Sequence, residues 1–189
     1  MEKIRVGFAM TGSFCTFSKA IPQAKRLVEE GYDVLPIMSE FASSTDTRFG
    51  TAAGFRSQLE EICGKKVISS IVEAEPIGPK KLLDLLVIAP CTGNTIGKLA
   101  NGITDTCVTM ATKSHLRNGR PVLIAVSTND GLASSSKNIG LLMNSRNIYF
   151  VPYRQDDPEN KGNSLVANFD MLVPALKAAL SSVQIQPLL

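Results

Sequence analysis

The sequence predicts an α/β protein, a three-layer doubly wound parallel sheet with helices on both faces, and three observations carry that prediction. Runs such as Leu85-Leu86-Val87-Ile88-Ala89 and the segment 121–126 are apolar without alternation, as strands covered on both faces must be. Between the runs lie segments whose apolar residues recur at helical spacing, and the alternation of the two kinds argues for a parallel sheet. Four loops that leave strands, 11–16, 39–45, 90–95 and 127–131, are rich in Gly, Ser, Thr and Asn. In a doubly wound sheet such loops share one rim, beyond the carboxyl ends of the strands, where ligands bind.

The first strand is expected over residues 4–10, entered directly from Met1-Glu2-Lys3 with no apolar signal-peptide region. A helix follows over 17–30, with Ile21, Ala24, Leu27 and Val28 on one face and Gly31 as its stop. Residues 32–38 read as the second strand, 39–47 as a polar turn-prone stretch, 52–63 as a helix, and 66–72 as a short third strand. Pro76 and Pro79 bracket a turn. Residues 85–89 form the clearest strand and lead into the loop 90–95. Two helical stretches, 95–101 and 104–116, precede a buried strand at 121–126. A helix near 134–145 and a strand at 148–151 complete the alternating core, residues 3–151. An exposed loop spans 152–163, where a polar stretch of this length reads as a lid, an interface flap or a plain connector. A helix over about 164–182, starting at Ser164 or at Asp170, closes the chain. No repeat or linker divides it, so residues 1–189 read as a single domain.

Composition narrows the function. A chain of 189 residues can bury roughly 70% of its unfolded surface and needs no disulfide or metal staple. With 44% hydrophobic and 20% charged residues, disorder is excluded. The net charge of +3 comes from 20 basic and 17 acidic residues scattered along the chain, so no basic stripe suggests nucleic acid. No apolar run approaches the roughly 18 residues that a membrane span requires. Cys15, Cys63, Cys91 and Cys107 form no Cys-x-x-Cys pair and read as reduced, mostly buried thiols of a cytoplasmic protein. His115 is the only histidine, which argues against a His-based metal site. Its polar surroundings read as a helix end, where a cation complements the dipole.

The four rim loops present hydroxyls, amides and helix amino termini, the donors an anion needs. Taken singly, each loop is equally well explained by ordinary helix capping. The first loop lacks Gly-x-Gly-x-x-Gly and any Gly-x-x-x-x-Gly-Lys-Ser/Thr, so neither a dinucleotide fingerprint nor a Walker loop is present. A mononucleotide held by hydroxyls and backbone amides fits better.

The stretch Ala89-Pro90-Cys91-Thr92-Gly93-Asn94-Thr95, continuing to Asn101-Gly102-Ile103-Thr104-Asp105, resembles the Pro-Ala-Ser-Ala-Asn-Thr signature and following helix of the homo-oligomeric flavin-containing cysteine decarboxylase superfamily. Thr11-Gly12-Ser13 resembles its first phosphate loop, Ser39 stands where a family Ser or Thr ends the second strand, and Asn129 falls where the Asn of a Pro-x-Met-Asn segment would lie. Within the superfamily, the stretches 127–143 and 147–158 are similar to the B-subunit family of dipicolinate synthases.

The resemblance implies a Rossmann- or flavodoxin-like sheet that binds FMN at a subunit interface of a trimer-based homo-oligomer. It implies that Thr11, Gly12, Ser13 and Ser39 surround the phosphate. Pro90, Thr92, Asn94, Ser127 and Asn129 would approach the ribityl chain or ring. Phe14, Phe17 and Phe41 read either as walls of the ring slot or as core. Asn94, Asn129 and Cys91 are the catalytic candidates, Cys91 because a helix amino terminus lowers a thiol pKa. No metal site is expected.

The sequence also departs from the decarboxylases. Pro76 occupies the position of their essential His, Val126-Ser127-Thr128-Asn129 replaces the Pro and Met before the second Asn, and the Trp that follows is missing. The likeness therefore implies a different activity. It points to a cytoplasmic oxidoreductase subunit of sporulating bacteria that works with a dipicolinate synthase A subunit carrying the NAD(P) site. The substrate would be a small dicarboxylate, a dihydrodipicolinate-type intermediate oxidised to dipicolinate, with Lys98, Lys113 and Arg154 as candidate cations. Two other readings stand beside it: a flavin-dependent decarboxylase or prenyltransferase acting alone, and a non-catalytic scaffold subunit that has lost flavin.

Overall fold

The computed structural model describes residues 3–189; Met1 and Glu2, which lead into the first strand, lie outside the described residues. In chain order the elements are β1 (Arg5–Met10), α1 (Phe17–Glu29), β2 (Asp33–Met38), α2 (Glu40–Ser44), α3 (Ala52–Cys63), α4 (Ile71–Ala74) and β3 (Leu85–Cys91). They continue as α5 (Gly93–Ala100), α6 (Cys107–Leu116), β4 (Val122–Thr128), α7 (Ser136–Met143), β5 (Ile148–Phe150), β6 (Tyr153–Arg154), β7 (Leu165–Ala167) and α8 (Leu172–Leu180). Five strands pair in parallel in the order β2-β1-β3-β4-β5. Strand order reverses between β1 and β3, where a doubly wound sheet opens a crevice at its carboxyl edge.

The central strands are apolar throughout because helices cover both faces. All seven residues of β3 are buried, as are the first six of β4. α1 lays Phe17, Ala20, Ile21, Ala24 and Leu27 on the sheet and ends at Gly31, whose φ of +90° only glycine adopts without strain. α1 and α8 pack together on one side, while α6 packs on β2, β3 and β4 with α4 beside it. An ion-pair network ties the amino end of β1 to the approach to β3. Asp84 accepts from the Arg5 guanidinium and backbone N–H and from Arg120, and these contacts, led by Arg5, hold its carboxyl below the usual range.

Several local expectations are corrected. The stretch 39–47 contains α2, because the Ser39 hydroxyl accepts from the Ala42 N–H and starts a helix. Residues 66–72 do not form a strand. Only Ile68 bridges Ile37, and at Ser70 a capping box with Glu73 turns the chain into α4. β3 runs through Pro90 to Cys91, and β4 through Ser127 to Thr128, so both rim loops start later than expected.

The largest difference lies after residue 151. Tyr153–Arg154 and Leu165–Ala167 form an antiparallel hairpin, and β7 pairs with the carboxyl end of β4, Ser127 opposite Val166 and Thr128 opposite Leu165. The sheet is therefore mixed, with seven strands. The final helix begins at Leu172, since Leu165–Ala167 is strand. The core likewise extends past 151 to Tyr153, Leu165, Ala167 and Phe169.

His115 is also not the solvated cation expected. It is fully buried in the last turn of α6, its Nε2–H donates to Pro121 O at 3.0 Å, and its Nδ1 has no partner. Burial pushes its pKa down to about 4, so the ring is neutral.

Candidate functional site

The carboxyl ends of β1, β3 and β4 open into one cleft of about 910 Å³. Gly12 and Ser13 reach it from the β1 loop, Thr92 and Asn94 from the end of β3 and α5, and Ser127 and Asn129 from the end of β4. Six of the nine predicted cofactor residues thus converge there. Asn94 and Asn129 are exposed and make no side-chain hydrogen bond among the described residues. Their amides are free to meet a ligand.

A hydroxyl cluster forms the floor. Ser13 Oγ and Ser127 Oγ are 2.8 Å apart, and Thr16 Oγ1 lies 3.1 Å from Ser13 Oγ and 3.2 Å from Ser127 Oγ while donating to Ser13 O. These contacts cross over β3 and set the two loops at one spacing. Ser13 precedes a 3₁₀ turn, residues 14–16, that leads into α1, and its hydroxyl caps no backbone group. The first N–H groups of such a turn lack helical partners and point where an anion would sit.

Glycines at the rim are places of close approach. A Cβ on Gly12 would stand 2.9 Å from the Phe41 ring, which folds across the loop. A Cβ on Gly93 would lie 2.6 Å from both Thr128 Oγ1 and Ser135 Oγ and 2.7 Å from Asp130 Oδ1. Those three groups form a network, with Asp130 accepting from Ser134, Thr128 and Ser135, and the same hydroxyls lower its pKa. The start of α5 is thereby pressed onto the β4 turn, with only a hydrogen between them.

Aromatic residues flank the polar floor. Phe14 and Phe49 line the cleft, the Phe14 ring meets Phe41 edge-on at 5.8 Å and Phe17 at a tilt at 5.1 Å, and Phe41 is 62% exposed. Phe17 is fully buried and belongs to the core. Of the three rings considered as slot walls, Phe14 lies in the cleft and Phe41 beside it.

The remaining predicted residues have other positions. Thr11 is buried, donates its hydroxyl to Pro90 O at 2.8 Å and accepts from the Thr92 N–H at 3.0 Å, so it clamps β1 to β3 and does not line the cleft. Pro90 is the other half of that clamp. Ser39 ends β2 on the same rim, its N–H bonded to Met10 O, but its hydroxyl is spent on α2 and it lies off the cleft wall. Cys91 is corrected as a nucleophile: it sits inside β3, fully buried, and burial alone drives its thiol pKa far upward. Lys98 pairs with Asp105 at 2.8 Å, and Lys113 faces a separate apolar groove with Leu99, Ile103 and Leu116. Neither lines the cleft.

Sequence reasoning missed Thr16, Lys19, Asp130, Asp156, Lys161 and Ser164, all of which line it. Asp130 was within reach, because Asn129-Asp130-Gly131 is a turn signal and Asp caps such turns. Asp156, Lys161 and Ser164 belong to the hairpin that was read as loop and helix. Asp156 is held ionised by the Ser164 hydroxyl, with Lys161 and Lys19 adding to the effect.

A mixed sheet with a parallel core and a polar cleft at its switch point defines a class. The sequence model named Flavoprotein matches residues 1–178, and the chain belongs to that family. It is 48% identical to the B subunit of dipicolinate synthase from Bacillus subtilis, over 98% of this chain and 92% of the relative. The crystal structure of the dipicolinate synthase B subunit from Bacillus halodurans superposes with a TM-score of 0.90 at 45% identity, covering 100% of this chain and 97% of that one. An FMN complex from Burkholderia xenovorans, described as a cubic protein cage for redox transfer, gives a TM-score of 0.72 at 20% identity over 95% and 97% of the two chains, and supports the fold alone. Among the described residues no helix is long and apolar enough to cross a membrane.

Proposed function

We propose that this chain is the flavin-fold B subunit of a two-subunit dipicolinate synthase. In this reading it acts in the cytoplasm of a sporulating cell with an A subunit that carries NAD(P), and together they oxidise a dihydrodipicolinate-type intermediate to dipicolinate. The observation that carries the reading is the convergence of Gly12, Ser13, Asn94, Ser127 and Asn129 on one cleft at the switch point of the sheet. The likeness to proteins named as B subunits of dipicolinate synthase supports this reading.

FMN fits the residues present. Its phosphate would meet the Ser13–Thr16–Ser127 hydroxyls and the amides of the turn before α1, donors that suit a dianion. Gly12 and Gly93 keep the two loops close enough to wrap it. Asn94 and Asn129, unpaired, would orient the ribityl chain and ring edge, and Phe14 with Phe49 would exclude water from one face. Bound there, FMN supplies a two-electron acceptor. The mouth of the cleft is incomplete in one chain, because Phe41 and Phe49 are exposed; a neighbouring copy in a trimer-based assembly would close it.

Removing hydrogen from a reduced pyridine ring also needs a proton acceptor. The two carboxylates of the cleft, Asp130 and Asp156, are both held below the usual carboxylate range by hydroxyl donors, which makes them weak bases. His115, in the last turn of α6, is buried in the core away from the cleft. The acceptor would then come from the A subunit, in keeping with a divided active site.

The test is co-purification with the candidate partner, an absorbance spectrum, and an assay for dipicolinate. Flavin absorbance with product only when both subunits are present supports the reading. A colourless chain that takes up no FMN on titration leaves the scaffold role. Decarboxylation by the chain alone would replace the proposal.

A further inference from the structure

Two grooves outside the cleft carry cations. Arg154 lines a polar groove between α1 and the β6–β7 hairpin, where Asp156 and Asp170 accompany it. Lys113 and Arg117, one turn apart on α6, line a different groove of about 410 Å³, whose walls among the described residues include no carboxylate. This second groove lies between the end of α5 and α6, reaches Ile148 of β5, and shares no wall residue with the cleft. Its lining is mostly apolar, with Leu99, Ile103 and Leu116 beside Ile148. The hydroxyls of Thr109 and Thr112 are turned back onto α6 and donate to Thr106 O and Val108 O.

Ile103 is 46% exposed and yet fixed in place. Its N–H donates to Lys98 O at 2.9 Å, and the N–H of Gly102, with φ of +69°, donates to Leu99 O at 3.3 Å, the two bonds of a Schellman cap on α5. Among the described residues neither Lys113 nor Arg117 has an ion-pair or side-chain hydrogen-bond partner. Taken singly these features are ordinary, since lone surface apolar residues are common and cations complement the end of a helix.

A second patch of the same chain has the opposite character. α4 presents Val72, 82% exposed, with Glu73 and Glu75 beside it. The capping box holds α4 in place, and the Ser69 and Ser70 donors keep the Glu73 carboxylate ionised. Glu75 has no side-chain partner among the described residues. The chain thus carries an apolar knob flanked by two carboxylates and an apolar seat flanked by two cations.

The two patches lie on different flanks of α6. In the turn that follows α4, Gly78 packs on Ser114 and accepts from the Asn118 amide at 2.9 Å, whereas the groove uses Thr109, Lys113 and Leu116. At 3.6 residues per turn those two faces are turned well away from each other. A chain therefore cannot seat its own knob. Complementary patches that face apart in one molecule meet between molecules, head to tail, in a contact that repeats until it closes a ring or grows as a filament.

We infer that Val72 of one copy seats among Leu99, Ile103 and Leu116 of the next, with Glu73 and Glu75 facing Lys113 and Arg117. An apolar anchor in a pocket, with charge pairs at its rim, is how binding energy concentrates at the centre of an interface. The contact is separate from the cleft and stands whether or not the chain binds flavin.

Sedimentation velocity of the full chain at low and high salt tests it. Wild type should associate, and less so as salt screens the rim pairs. Ile103→Glu puts a charge into the apolar seat and should weaken association by about tenfold or more. Glu75→Lys and Arg117→Glu should each weaken it by about fivefold, and the two reversals in one chain should restore much of it. Val72→Glu chains, which keep the seat, mixed with Ile103→Glu chains, which keep the knob, should regain an association that each has lost alone. All four positions are exposed, and unfolding midpoints close to wild type would show that the variants fold. A wild type that sediments as a single chain at every concentration overturns the inference, as do reversals without effect or a double reversal no better than either single one. Unchanged self-association with loss of a co-expressed A subunit in Arg117→Glu would give the groove to that partner and overturns it as well.

Discussion

The hydroxyls of Ser13 and Ser127 meet at 2.8 Å, although the strands that precede them, β1 and β4, are separated by β3. This one contact brings the first and the last parallel βα turns of the rim together over the end of the middle strand. Any anion that binds at the 3₁₀ turn before α1 is therefore also within reach of the β4 turn.

Replacing Ser13 by Glu places a carboxylate where a phosphate would bind and removes the contact with Ser127. Ser13→Glu is expected to abolish FMN uptake, read as loss of the flavin absorbance band in the purified protein. Ser13→Ala removes one hydrogen-bonding group at a cost of about 1 kcal/mol, so it should bind roughly fivefold to tenfold more weakly. Full retention of flavin by the Glu variant would show that the phosphate lies elsewhere.

Gly93 stands where the superfamily signature has Ala, and here the added methyl has no space. Its Cβ would be 2.6 Å from two hydroxyls that are already bonded to Asp130. Gly93→Ala should cost about 1–3 kcal/mol by forcing α5 off the β4 turn, seen as a lowered thermal midpoint, and should weaken FMN binding through Asn94. Combining it with Ser135→Ala removes one of the colliding oxygens and should recover part of the loss.

His115 gives the molecule a pH dependence whose sign follows from its burial. Its pKa is about 4 in the fold against an ordinary value of 6.5. The neutral ring is favoured in the folded state, so its contribution is complete above pH 6.5 and is lost as pH falls towards 4. The unfolded chain binds the extra proton in that window, and the full loss amounts to about 3 kcal/mol. His115→Gln keeps a donor for Pro121 O and does not titrate. Denaturant unfolding at pH 7 and pH 4.5 should show wild type losing roughly 2 kcal/mol more than the variant between the two, the carboxylate contributions being common to both. Equal losses would place the ring in contact with water.

Much of this arrangement was legible in the residues. Uninterrupted apolar runs located β3 and β4, and the helical spacing of Ile21, Ala24 and Leu27 located α1. The signature around Asn94 located the rim. What could not be read were features created by distant contacts. Residues 165–167 form a strand only because the exposed end of β4 offers a ladder to pair with, and Leu-Val-Ala is equally at home in a helix. Thr11 and Ser39 look like ligand donors by type, but each has its hydroxyl engaged by a neighbouring turn, and nothing local reveals that. His115 lies in a polar stretch, and only the packing of α6 on the sheet buries it. Lys19 was hidden for the opposite reason, since one lysine on an amphipathic helix carries no signal until the hairpin is placed beside it.

The outer edge of β5 supplies a last prediction. At Phe150 the Gln184 side chain takes the place of a further strand: its Oε1 accepts from the Phe150 N–H and its Nε2 donates to Phe150 O, both at 2.8 Å. Four residues on, Leu188 O accepts from the Tyr153 N–H, so the carboxyl-terminal segment is tied down at two points along this edge. An edge strand left with open N–H and C=O groups is a template for pairing with another chain. Gln184→Ala leaves both Phe150 groups without their partner, at a cost of about 1–3 kcal/mol. Gln184→Glu keeps the acceptor but loses the donor, and should fall between wild type and the Ala variant. Hydrogen exchange at the Phe150 amide should accelerate in the order wild type, Glu, Ala. Light scattering on heating should show the Ala variant associating at a lower temperature. If exchange at Phe150 is unchanged in Gln184→Ala, the amide pair does not guard the edge and the anchor at Leu188 must suffice.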